Sequence, residues 1–541
     1  MKKKILLYIL IPLLAAAAAA GYLLFKKAGP DFIFLITLDT TRADFIKYTR
    51  QDNRLTPNLA RLAEEGVRFV NTFSLIPITL PSHAAMFYSL PPHVLKIYNN
   101  GQPKKVSYPS AAQLLKSKGF YTAAVVSLGV LKAEFGLGKG FDDYIENFRQ
   151  YFWYKNAAEV NRDAMELIRR KKDEKKAFFW LHYSDPHEPY YPPYFAGSFR
   201  MTLNDSVVFQ ARSSEQPLVK LDLELQPGKN ILWLKSQPPK ETNRKKIEVG
   251  FYTYRNFSIK SLKNPDDLKV VKPKRWSEVT ARGKVNVYSR KQESRLVLIN
   301  KSKEKIPVNI KFLYRMLERP ASRKSLYRKE IRYMDKQLGK LFAFLKEQGV
   351  YEKSAFIIMG DHGEGLGEYD RHYGHIHYLY KLYSRVPLIM FGKGVKDRGK
   401  KLDLVSNLNI APTLLHLAGI EKPKSMRGES LLRPITHKRL LLETYSPEAY
   451  FDVFSVLEFP YQVVFSPGVS GEKKIEYFDL RPDEGGVFGL KNIKESMPDK
   501  KLKGQLLDAV LKISRIITAT KGKATKVSAR HREILESLGY L

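Results

Sequence analysis

Four short segments combine carboxylates, imidazoles and hydroxyls in a way that could support catalysis. Asp39 follows a continuous apolar run, and Thr79 and His83 lie in the segment Thr-Leu-Pro-Ser-His. The third segment, 182–187, places two histidines around an aspartate, and the fourth, 361–368, begins Asp-His-Gly-Glu. An isolated aspartate could simply cap a helix. Acids and histidines grouped behind apolar runs are costly to place without a function.

Together these residues predict a metal-assisted hydrolase site. Asp39, Asp361 and His362 offer two carboxylates and one imidazole as ligands, and the hydroxyl of Thr79 can complete the coordination sphere. Metal coordination is one of the few ways to make a threonine hydroxyl nucleophilic near neutral pH. Because the ligands combine oxygen and nitrogen, a divalent zinc or manganese ion is favoured, with calcium or magnesium as further options. Arg42 could bind the oxygens of a tetrahedral anion in the transition state.

These segments need a common framework, and the sequence predicts one. Apolar runs suited to buried strands occur at 32–38, 123–126, 177–181, 355–359 and 387–391. Segments suited to helices occur between them, at 111–117, 161–172 and 327–348. This alternation predicts an α/β fold with a doubly wound, mostly parallel sheet. Such sheets bind ligands beyond the carboxyl ends of their strands, which is where Asp39, the segment 182–187 and the pair Asp361-His362 would lie.

The pattern changes between residues 201 and 313 to short alternating strands, which predict an inserted all-β module resembling a small sandwich. Residues 201–320 contain 26 Lys and Arg against 12 Asp and Glu. Such a basic module suits anionic glycans or lipid headgroups, or else it is a solvated spacer that shapes the mouth of the site. We therefore expect a catalytic domain in two parts, 28–200 and 314–440, and a small α+β C-terminal segment at 441–541.

Composition excludes several classes of protein. The 541 residues carry 92 Lys and Arg against 55 Asp and Glu, a formal net charge of +37, and no cysteine. The missing cysteine rules out a disulfide scaffold, a thiol enzyme and a Cys-ligated zinc module. The positive charge favours an anionic partner. No nucleic-acid-binding motif accompanies it, so no specific nucleic acid is expected.

Residues 1–27 predict a membrane anchor or a signal peptide. Three lysines precede an uncharged, mostly apolar stretch from Ile5 to Phe25, whose 21 residues are enough to span a bilayer core. The alanines at 15–20 also suit signal cleavage. We expect a single-pass N-terminal anchor in the cell membrane, with the catalytic body extracytoplasmic. The alternative is a protein that is secreted or periplasmic after cleavage.

Six motifs, in order, carry a family resemblance. They are LDTTRAD at 38–44, TPNLARLAEEG at 56–66, TLPSHA at 79–84, HYSDPHEPY at 182–190, GDHGE at 360–364 and NIAPTLL at 409–415. On these motifs the chain resembles the sulfatase family of the alkaline phosphatase superfamily, from about residue 32 to 196 and from 325 to 432. The resemblance implies an alkaline phosphatase-like fold and hydrolysis of sulfate or phosphate esters.

The resemblance makes Asp39, Asp361 and His362 metal ligands and places Thr79 at the nucleophile position. Typical sulfatases oxidise a cysteine or serine at that position to formylglycine. Threonine carries a methyl group on Cβ and cannot give that aldehyde, so we expect no formylglycine and a threonine alkoxide in its place. This is the pattern of relatives that use threonine on phosphate esters. Thr40 points the same way, because calcium-binding relatives usually have a second aspartate there.

Further roles follow from the same resemblance. His83 falls where the family commonly has an arginine beside the nucleophile, and His187 falls where it has a substrate-binding histidine. Either His375 or His377 lies near the position of a residue that protonates the leaving group or binds the anion. Asn100 corresponds to a polar active-site residue that contacts substrate.

The sequence thus predicts a metal-dependent hydrolase of sulfate or phosphate esters that uses Thr79 as nucleophile. Its substrate would be an anionic ester, such as an envelope glycan or lipid. Two alternatives stay open. One is an envelope transferase that moves a phosphoethanolamine or glycerophosphate group, and the other is an inactive protein that binds anionic polymers through the basic module.

Overall fold

A computed structural model describes the chain at residues 29–48, 54–101, 105–148, 153–188, 190, 198–212, 218–237, 249–274, 276–281, 284–289, 293–318, 322–368, 372–445, 452–467, 473–481 and 492–520. The segment expected to be an anchor or signal peptide, 1–27, lies outside these residues. Within the ranges just given, no helix is both long and apolar enough to cross a membrane.

The strands fall into four stretches of the chain. The first contains β1 (Phe32–Leu38), β2 (Val67–Phe73), β3 (Tyr121–Val125), β4 (Asp143–Ile145) and β5 (Ala177–Tyr183). The second contains β6 (Ser198–Leu203), β7 (Ser206–Arg212), β8 (Leu218–Leu225), β9 (Gly228–Gln237), β10 (Val249–Ser261), β11 (Leu268–Val271), β12 (Ser277–Ala281), β13 (Lys284–Ser289), β14 (Glu293–Asn300) and β15 (Ile306–Glu318). The third contains β16 (Ser354–Gly360), β17 (Gly365–Leu366), β18 (Tyr373–Gly374), β19 (Leu388–Gly392) and β20 (Gly399–Ser406). The fourth contains β21 (Leu440–Thr444), β22 (Val453–Glu458), β23 (Tyr461–Pro467) and β24 (Lys473–Asp479).

The helices lie mainly between strands of the first and third stretches. They are α1 (Pro57–Glu65), α2 (Thr79–Tyr88), α3 (Pro92–Leu95), α4 (Ala111–Ser117), α5 (Ala157–Lys171), α6 (Arg323–Glu347), α7 (Lys381–Ser384), α8 (Ile410–Leu417) and α9 (Lys500–Thr520). Local sequence explains several of their starts. Ser110 and Asn156 each cap a helix in a reciprocal hydrogen-bonding pattern, with Gln113 and Glu159 respectively.

Eight strands form one mixed sheet in the order β20-β2-β19-β16-β1-β5-β3-β4. The central strand β1 pairs in parallel with β16 on one side and β5 on the other. Strand β19 runs antiparallel to both of its neighbours. The mostly parallel sheet predicted from the apolar runs is therefore confirmed, and β19 is its antiparallel member. Strands β2, β4 and β20 are additional, because their shorter or less apolar sequences give a weaker strand signal.

Helices cover both faces of this sheet. The side chains of Ile33 and Leu35 on β1 pack in a layer with α2, α4 and α8. Those of Phe34 and Ile36 point to the opposite face and pack with α1, α5 and α6. Every residue of β1 is buried, as the continuous apolar run predicts for a strand covered on both sides. The doubly wound arrangement brings the carboxyl ends of β1, β5 and β16 to one edge.

The inserted all-β module is also present. Its strands form two five-stranded sheets, ordered β12-β13-β10-β15-β8 and β11-β14-β9-β6-β7. Each described pairing within them is antiparallel, and a separate hydrophobic cluster that includes Met201, Leu234, Leu298 and Phe312 forms their common core. A sandwich of this kind exposes the other face of each sheet.

The C-terminal segment is α+β, as predicted. Strands β21 to β24 form a four-stranded antiparallel sheet in chain order. Helix α9 packs on it through Leu506, Val510 and Ile517, which share a cluster with Val456 and Val463.

Candidate active site

Two aspartates stand side by side at the carboxyl edge of the main sheet. Asp39 directly follows β1, and Asp361 directly follows β16, whose last residue is paired with the last residue of β1. Asp361 Oδ1 accepts hydrogen bonds from the backbone N–H of Thr40, at 3.0 Å, and of His362, at 2.6 Å. Thr40 has a φ of 50°, so the chain turns sharply after Asp39. The parallel pairing of the two strands thus fixes the two carboxylates together.

The nucleophile candidate lies at the start of a buried helix. Thr79 is the first residue of α2 and is fully buried, and its Oγ1 is 3.3 Å from His362 Nε2. A helix N-terminus carries partial positive charge and stabilises negative charge nearby. Asn100 completes this turn, because its Oδ1 accepts a hydrogen bond from the Leu80 N–H at 2.9 Å. Asn100, which the sequence predicts to contact substrate, therefore also holds the first turn of α2. Its buried Nδ2 has no hydrogen-bond partner in the protein.

Hydrogen bonds fix the tautomers of two histidines beside Thr79. His83 Nδ1 donates to the carbonyl oxygen of Thr79 at 2.8 Å, which leaves its Nε2 to accept from Thr37 Oγ1 at 3.0 Å. His362 Nδ1 donates to the Gly363 carbonyl oxygen at 3.0 Å. The unprotonated Nε2 of His362 therefore faces Thr79, and the arrangement suits metal binding.

Glycine is required at 363, because a Cβ there would lie 2.0 Å from the Leu382 carbonyl oxygen. This close approach sets the path of the loop that carries His362.

A third histidine, His182 at the end of β5, supports Asp39. The Ser127 N–H points at His182 Nδ1 at 3.4 Å, so the proton is on Nε2, which donates to Asp39 Oδ2 at 3.2 Å. The ring of His182 also lies edge-on to that of His83, with centroids 5.0 Å apart. His182 belongs to the cluster, although the sequence assigned it no role. Its position directly after an apolar run was the available signal.

Electrostatics in this buried site favour a cation. Burial would raise the pKa of Asp39, but the hydrogen bond from His182 and the neighbouring imidazoles lower it below its usual range. Burial and the charge of Asp39 raise the pKa of Asp361 well above normal. Burial lowers the pKa of His83 and of His362 to about 3, which keeps both rings neutral at neutral pH. Two adjacent carboxylates can both be ionised at low cost only beside a positive charge.

The residues present fit a divalent metal ion. Asp39, Asp361 and His362 place one ligand atom each within 4.8 Å of one another. Asp39 Oδ1 and Asp361 Oδ2 are buried without a hydrogen-bond partner, which is costly for carboxylate oxygens unless a ligand binds them. The mixture of carboxylate oxygen and imidazole nitrogen matches zinc or manganese. His83, His182 and Asp361 form a second group with the same spacing.

Two further imidazoles, those of His375 and His187, lie in a row beyond His362. The ring centroid of His375 lies 4.5 Å from that of His362 and 5.2 Å from that of His187. His187 Nδ1 donates to the Glu188 carbonyl oxygen at 2.5 Å. Burial, followed by the charge of His187, lowers the pKa of His375 to about 3.

The structure distinguishes the two histidines that spacing left undecided. His375 is 7% exposed and its Nδ1 lies 3.3 Å from Oε2 of the fully buried Glu364. His377 instead packs its ring against His372, with centroids 5.5 Å apart. Burial raises the pKa of Glu364 well above normal. Sequence reasoning gave Glu364 no role, although the motif Asp-His-Gly-Glu contains it.

Arg42 is also at this edge, but its guanidinium is engaged by protein groups. Nε and one terminal nitrogen donate to Asp44 at 2.9 and 2.8 Å, and the other terminal nitrogen donates to Glu368 at 2.8 Å and to the Glu364 carbonyl oxygen at 3.1 Å. Its side chain is 1% exposed and stacks over Phe45. Arg42 therefore connects the end of β1 to the loop after β16. The sequence instead suggested that Arg42 binds an anionic substrate.

Several curated proteins are similar to this chain in sequence. Arylsulfatase K of Bos taurus is 22% identical over 416 residues, which cover 75% of this chain and 66% of that protein. An N-acetylglucosamine-6-O-sulfatase of Bacteroides thetaiotaomicron is 22% identical over 475 residues, which cover 82% of this chain and 78% of that protein. The chain thus spans just under two thirds of the length of the first relative.

Solved structures share the fold. A protein crystallised with its substrate D-glucosamine-2-N,6-O-disulfate has a TM-score of 0.58 at 15% identity, covering 92% of this chain and all of that one. A protein of the alkaline phosphatase superfamily from Vibrio parahaemolyticus has a TM-score of 0.51 at 16% identity, covering 92% and 90% of the two chains. The predicted alkaline phosphatase-like fold is therefore confirmed.

These matches contradict the prediction that no formylglycine is used. That prediction relied on the Cβ methyl group of Thr79 and on the missing cysteine, whereas the similarity to sulfatases extends over most of the chain. Sulfatases usually combine formylglycine with a divalent metal, so the family relationship counts against excluding it.

Family models give the broadest match. A model described as N-sulphoglucosamine sulphohydrolase, C-terminal, matches residues 367–494, and one described as Sulfatase matches residues 31–420. The prediction of a hydrolase that acts on ester bonds is confirmed at the level of the family. Because the Sulfatase model spans more than half of the chain, from β1 through the paired aspartates to α8, the chain belongs to the sulfatase family.

Proposed function

We propose that this protein is a metal-dependent hydrolase of sulfate esters in which Thr79 is the nucleophile. The observation that carries the proposal is the buried cluster of Asp39, Asp361, His362 and Thr79. Three potential ligand atoms converge within 4.8 Å, and the Thr79 hydroxyl lies 3.3 Å from His362 Nε2 at the start of a helix. A structural role alone does not account for two carboxylate oxygens buried without partners.

Asp39, Asp361 and His362 would hold the metal ion. When bound, a divalent ion supplies Lewis-acid stabilisation of negative charge on the nucleophile and on the ester oxygens. The neutral Nε2 of His362 and the ionised carboxylate of Asp39 are already in the protonation states that ligands require. His182 and the Thr40 N–H hold the two carboxylates in place.

Thr79 Oγ1 attacks the sulfur atom of the ester. A bond forms between Oγ1 and sulfur, the bond from sulfur to the leaving oxygen breaks, and the threonine proton ends on the leaving alcohol. His362 is occupied as a metal ligand, so the neighbouring rings of His375 and His187 are the groups that would carry this proton. Water then cleaves the sulfated threonine and releases sulfate, which restores Thr79.

The proposed substrate is a sulfated sugar. One relative is an N-acetylglucosamine-6-O-sulfatase, and one structural neighbour was crystallised with a disulfated glucosamine. The positive charge of the chain favours such an anionic substrate. Phosphate esters are the second candidate, because a tetrahedral phosphate group presents nearly the same shape and charge to the cluster.

Steady-state kinetics of the purified protein test this proposal. Aryl sulfate, aryl phosphate and an aryl phosphodiester are compared after chelation and after addition of Zn²⁺ or Mn²⁺. We expect sulfate turnover that requires the metal and that falls about 10³-fold or more in Thr79→Ala, as for other nucleophile deletions. Thr79→Ser should retain measurable activity. Thr72→Ala is the matched control, because Thr72 is equally buried but its hydroxyl donates to the Phe69 carbonyl oxygen within β2.

Two outcomes would overturn parts of the proposal. Full turnover by Thr79→Ala would remove the nucleophile assignment. Faster turnover of phosphate than of sulfate by the same active site would reassign the substrate class.

A further inference from the structure

The inserted module has one strongly basic outer face. In the sheet β11-β14-β9-β6-β7, residues alternate between the core and the surface. Leu232 and Leu234 of β9 and Leu296 and Leu298 of β14 are fully buried in the core of the module. Their neighbours in sequence therefore point outward. We call the cationic and indole-bearing residues on this outer side the Trp233 face; they are Arg200, Lys229, Trp233, Lys235, Lys269 and Arg295.

Strand pairing sets these side chains beside one another. Trp233 on β9 lies opposite Arg295 on β14, and Lys235 on β9 lies opposite Arg200 on β6. At the other end of the face, Lys229 of β9 and Lys269 of β11 are both paired with one residue of β14, Ile299. Adjacent strands are about 4.8 Å apart, so the positive charges form rows across the sheet.

The indole of Trp233 lies beside two of these cations. Lys235 Nζ lies 5.2 Å from the centre of the indole ring, and Arg295 Cζ lies 6.0 Å from it. Among the outward residues of β9 and β14 the acidic member is Glu293, whose carboxylate is 3.6 Å from Lys235. An apolar row of Ile231 and Val297 separates the two groups of cations.

The outer face of the second sheet differs. On β8, Lys220 alternates with Asp222 and Glu224, and the Asn309 side chain on β15 donates to Asp222 at 2.7 Å. Lys311 lies opposite Lys220 in strand pairing. Among the described side chains of β8, β10 and β15 on that face, Lys220, Lys260 and Lys311 accompany Asp222 and Glu224, whereas the Trp233 face has five cations beside Glu293.

We propose that the Trp233 face binds an anionic, sulfated polysaccharide at a distance from the catalytic cluster. An indole face packs well against the C–H face of a sugar ring, because the ring face is electron-rich and apolar. Guanidinium groups on either side suit sulfate oxygens, which they can bind with two parallel hydrogen bonds. A sheet face with an exposed indole offers an extended chain a platform, and its described residues lack the successive stacking aromatics of single-strand nucleic-acid binders.

The surface would keep a polymeric substrate near the enzyme and raise its local concentration. None of its residues belongs to the catalytic cluster. A failure of this binding proposal can therefore be told apart from a failure of the proposed catalytic function, because hydrolysis of a small aryl ester does not require a polymer to bind.

Binding of the full chain to dextran sulfate tests the proposal, with polyphosphate as a polyanion that contains no sugar and phosphatidylglycerol vesicles as an anionic membrane. The double variant Arg200→Glu/Arg295→Glu should weaken binding to dextran sulfate roughly tenfold or more at low salt. The variant Trp233→Ala should weaken binding to dextran sulfate but leave binding to polyphosphate within about twofold. Both variants should hydrolyse aryl esters at the wild-type rate.

The matched control is Lys260→Glu/Lys311→Glu, which reverses two exposed charges on the other sheet. Equal losses in the control and in the Arg200→Glu/Arg295→Glu variant would show that net charge alone is responsible and would overturn the proposal. A loss of vesicle binding larger than the loss of dextran sulfate binding would reassign the face to a membrane surface. Unchanged dextran sulfate binding in both Trp233-face variants would also overturn it.

Discussion

The edge of the main sheet and the Trp233 face use polar residues in opposite ways. At the sheet edge, Asp39, Asp361 and His362 are fully buried, and each is fixed by hydrogen bonds from backbone or neighbouring side chains. On the module, Arg200 and Arg295 are exposed. Burying an ionisable group is expensive, whereas exposing one costs little. A buried acid therefore indicates function by itself, while an exposed cation is informative only through its arrangement.

The largest effect should follow from removing one of the paired carboxylates. Asp361→Asn leaves the backbone hydrogen bonds to Oδ1 in place but halves the negative charge available to a metal. We expect a loss of about 10³-fold or more in kcat/KM and loss of bound metal. Elemental analysis and aryl ester kinetics measure both.

Asp185→Asn is the control for that experiment. Asp185 is about equally buried, but its Oδ1 accepts from the Ala157 N–H at 3.0 Å at the start of α5, and it belongs to neither group of potential ligands. It should keep its metal and most of its activity. Metal retained by Asp361→Asn at wild-type stoichiometry would contradict the ligand assignment.

The second comparison is between a buried and an exposed arginine. Arg42→Ala leaves Asp44 and Glu368 without their shared partner and should cost about 3 kcal/mol or more in the free energy of unfolding. Arg295→Ala, on the Trp233 face, should cost less than about 0.5 kcal/mol. Denaturant unfolding of both variants measures the difference. If Arg42 instead binds substrate directly, Arg42→Ala would raise KM with stability unchanged.

How much of this arrangement could be predicted depends on the range of the interactions. The strand at 32–38 matches β1 in full, because a strand buried on both faces leaves a continuous apolar run in the sequence. Arg42 could not be assigned from sequence, since its partner Glu368 is 326 positions away. His375 and His377 have equal claims by spacing, and only the fold turns one of them toward His362.

Those two histidines give the third prediction. His375→Ala removes the ring between His362 and His187 and should lower kcat/KM by about 10- to 100-fold. His377→Ala should change it by less than about threefold, because its ring packs against His372 outside the cluster. Kinetics of the two variants on one aryl ester decide between them. Equal losses of kcat/KM in the two variants would mean that the loop carrying His375 and His377 moves as a unit. Ring position alone would then not distinguish the roles of the two histidines.

The smallest effect concerns a buried carboxyl outside the cluster. Burial raises the pKa of Asp185 from 3.8 to about 7. The folded protein therefore favours the protonated form of Asp185. The stability that this proton binding contributes is complete below about pH 4 and is lost as the pH rises through 7. Asp185→Asn should remove that dependence and gain stability relative to wild type between pH 5 and 8, by roughly a few degrees in Tm.

Asp142→Asn provides a control of opposite sign. Burial would raise the pKa of Asp142, but the hydrogen bond from Lys116 and those at Thr122 outweigh it and lower the pKa. The stability contributed by the ionised carboxylate of Asp142 is present above the usual aspartate pKa and is lost on acidification. Asp142→Asn removes this contribution and should therefore be less stable than wild type at neutral pH. Thermal unfolding of the three proteins across this range compares the two carboxyls directly. Parallel profiles for wild type and Asp185→Asn would mean that Asp185 is ionised in the folded chain and that burial alone does not set its charge.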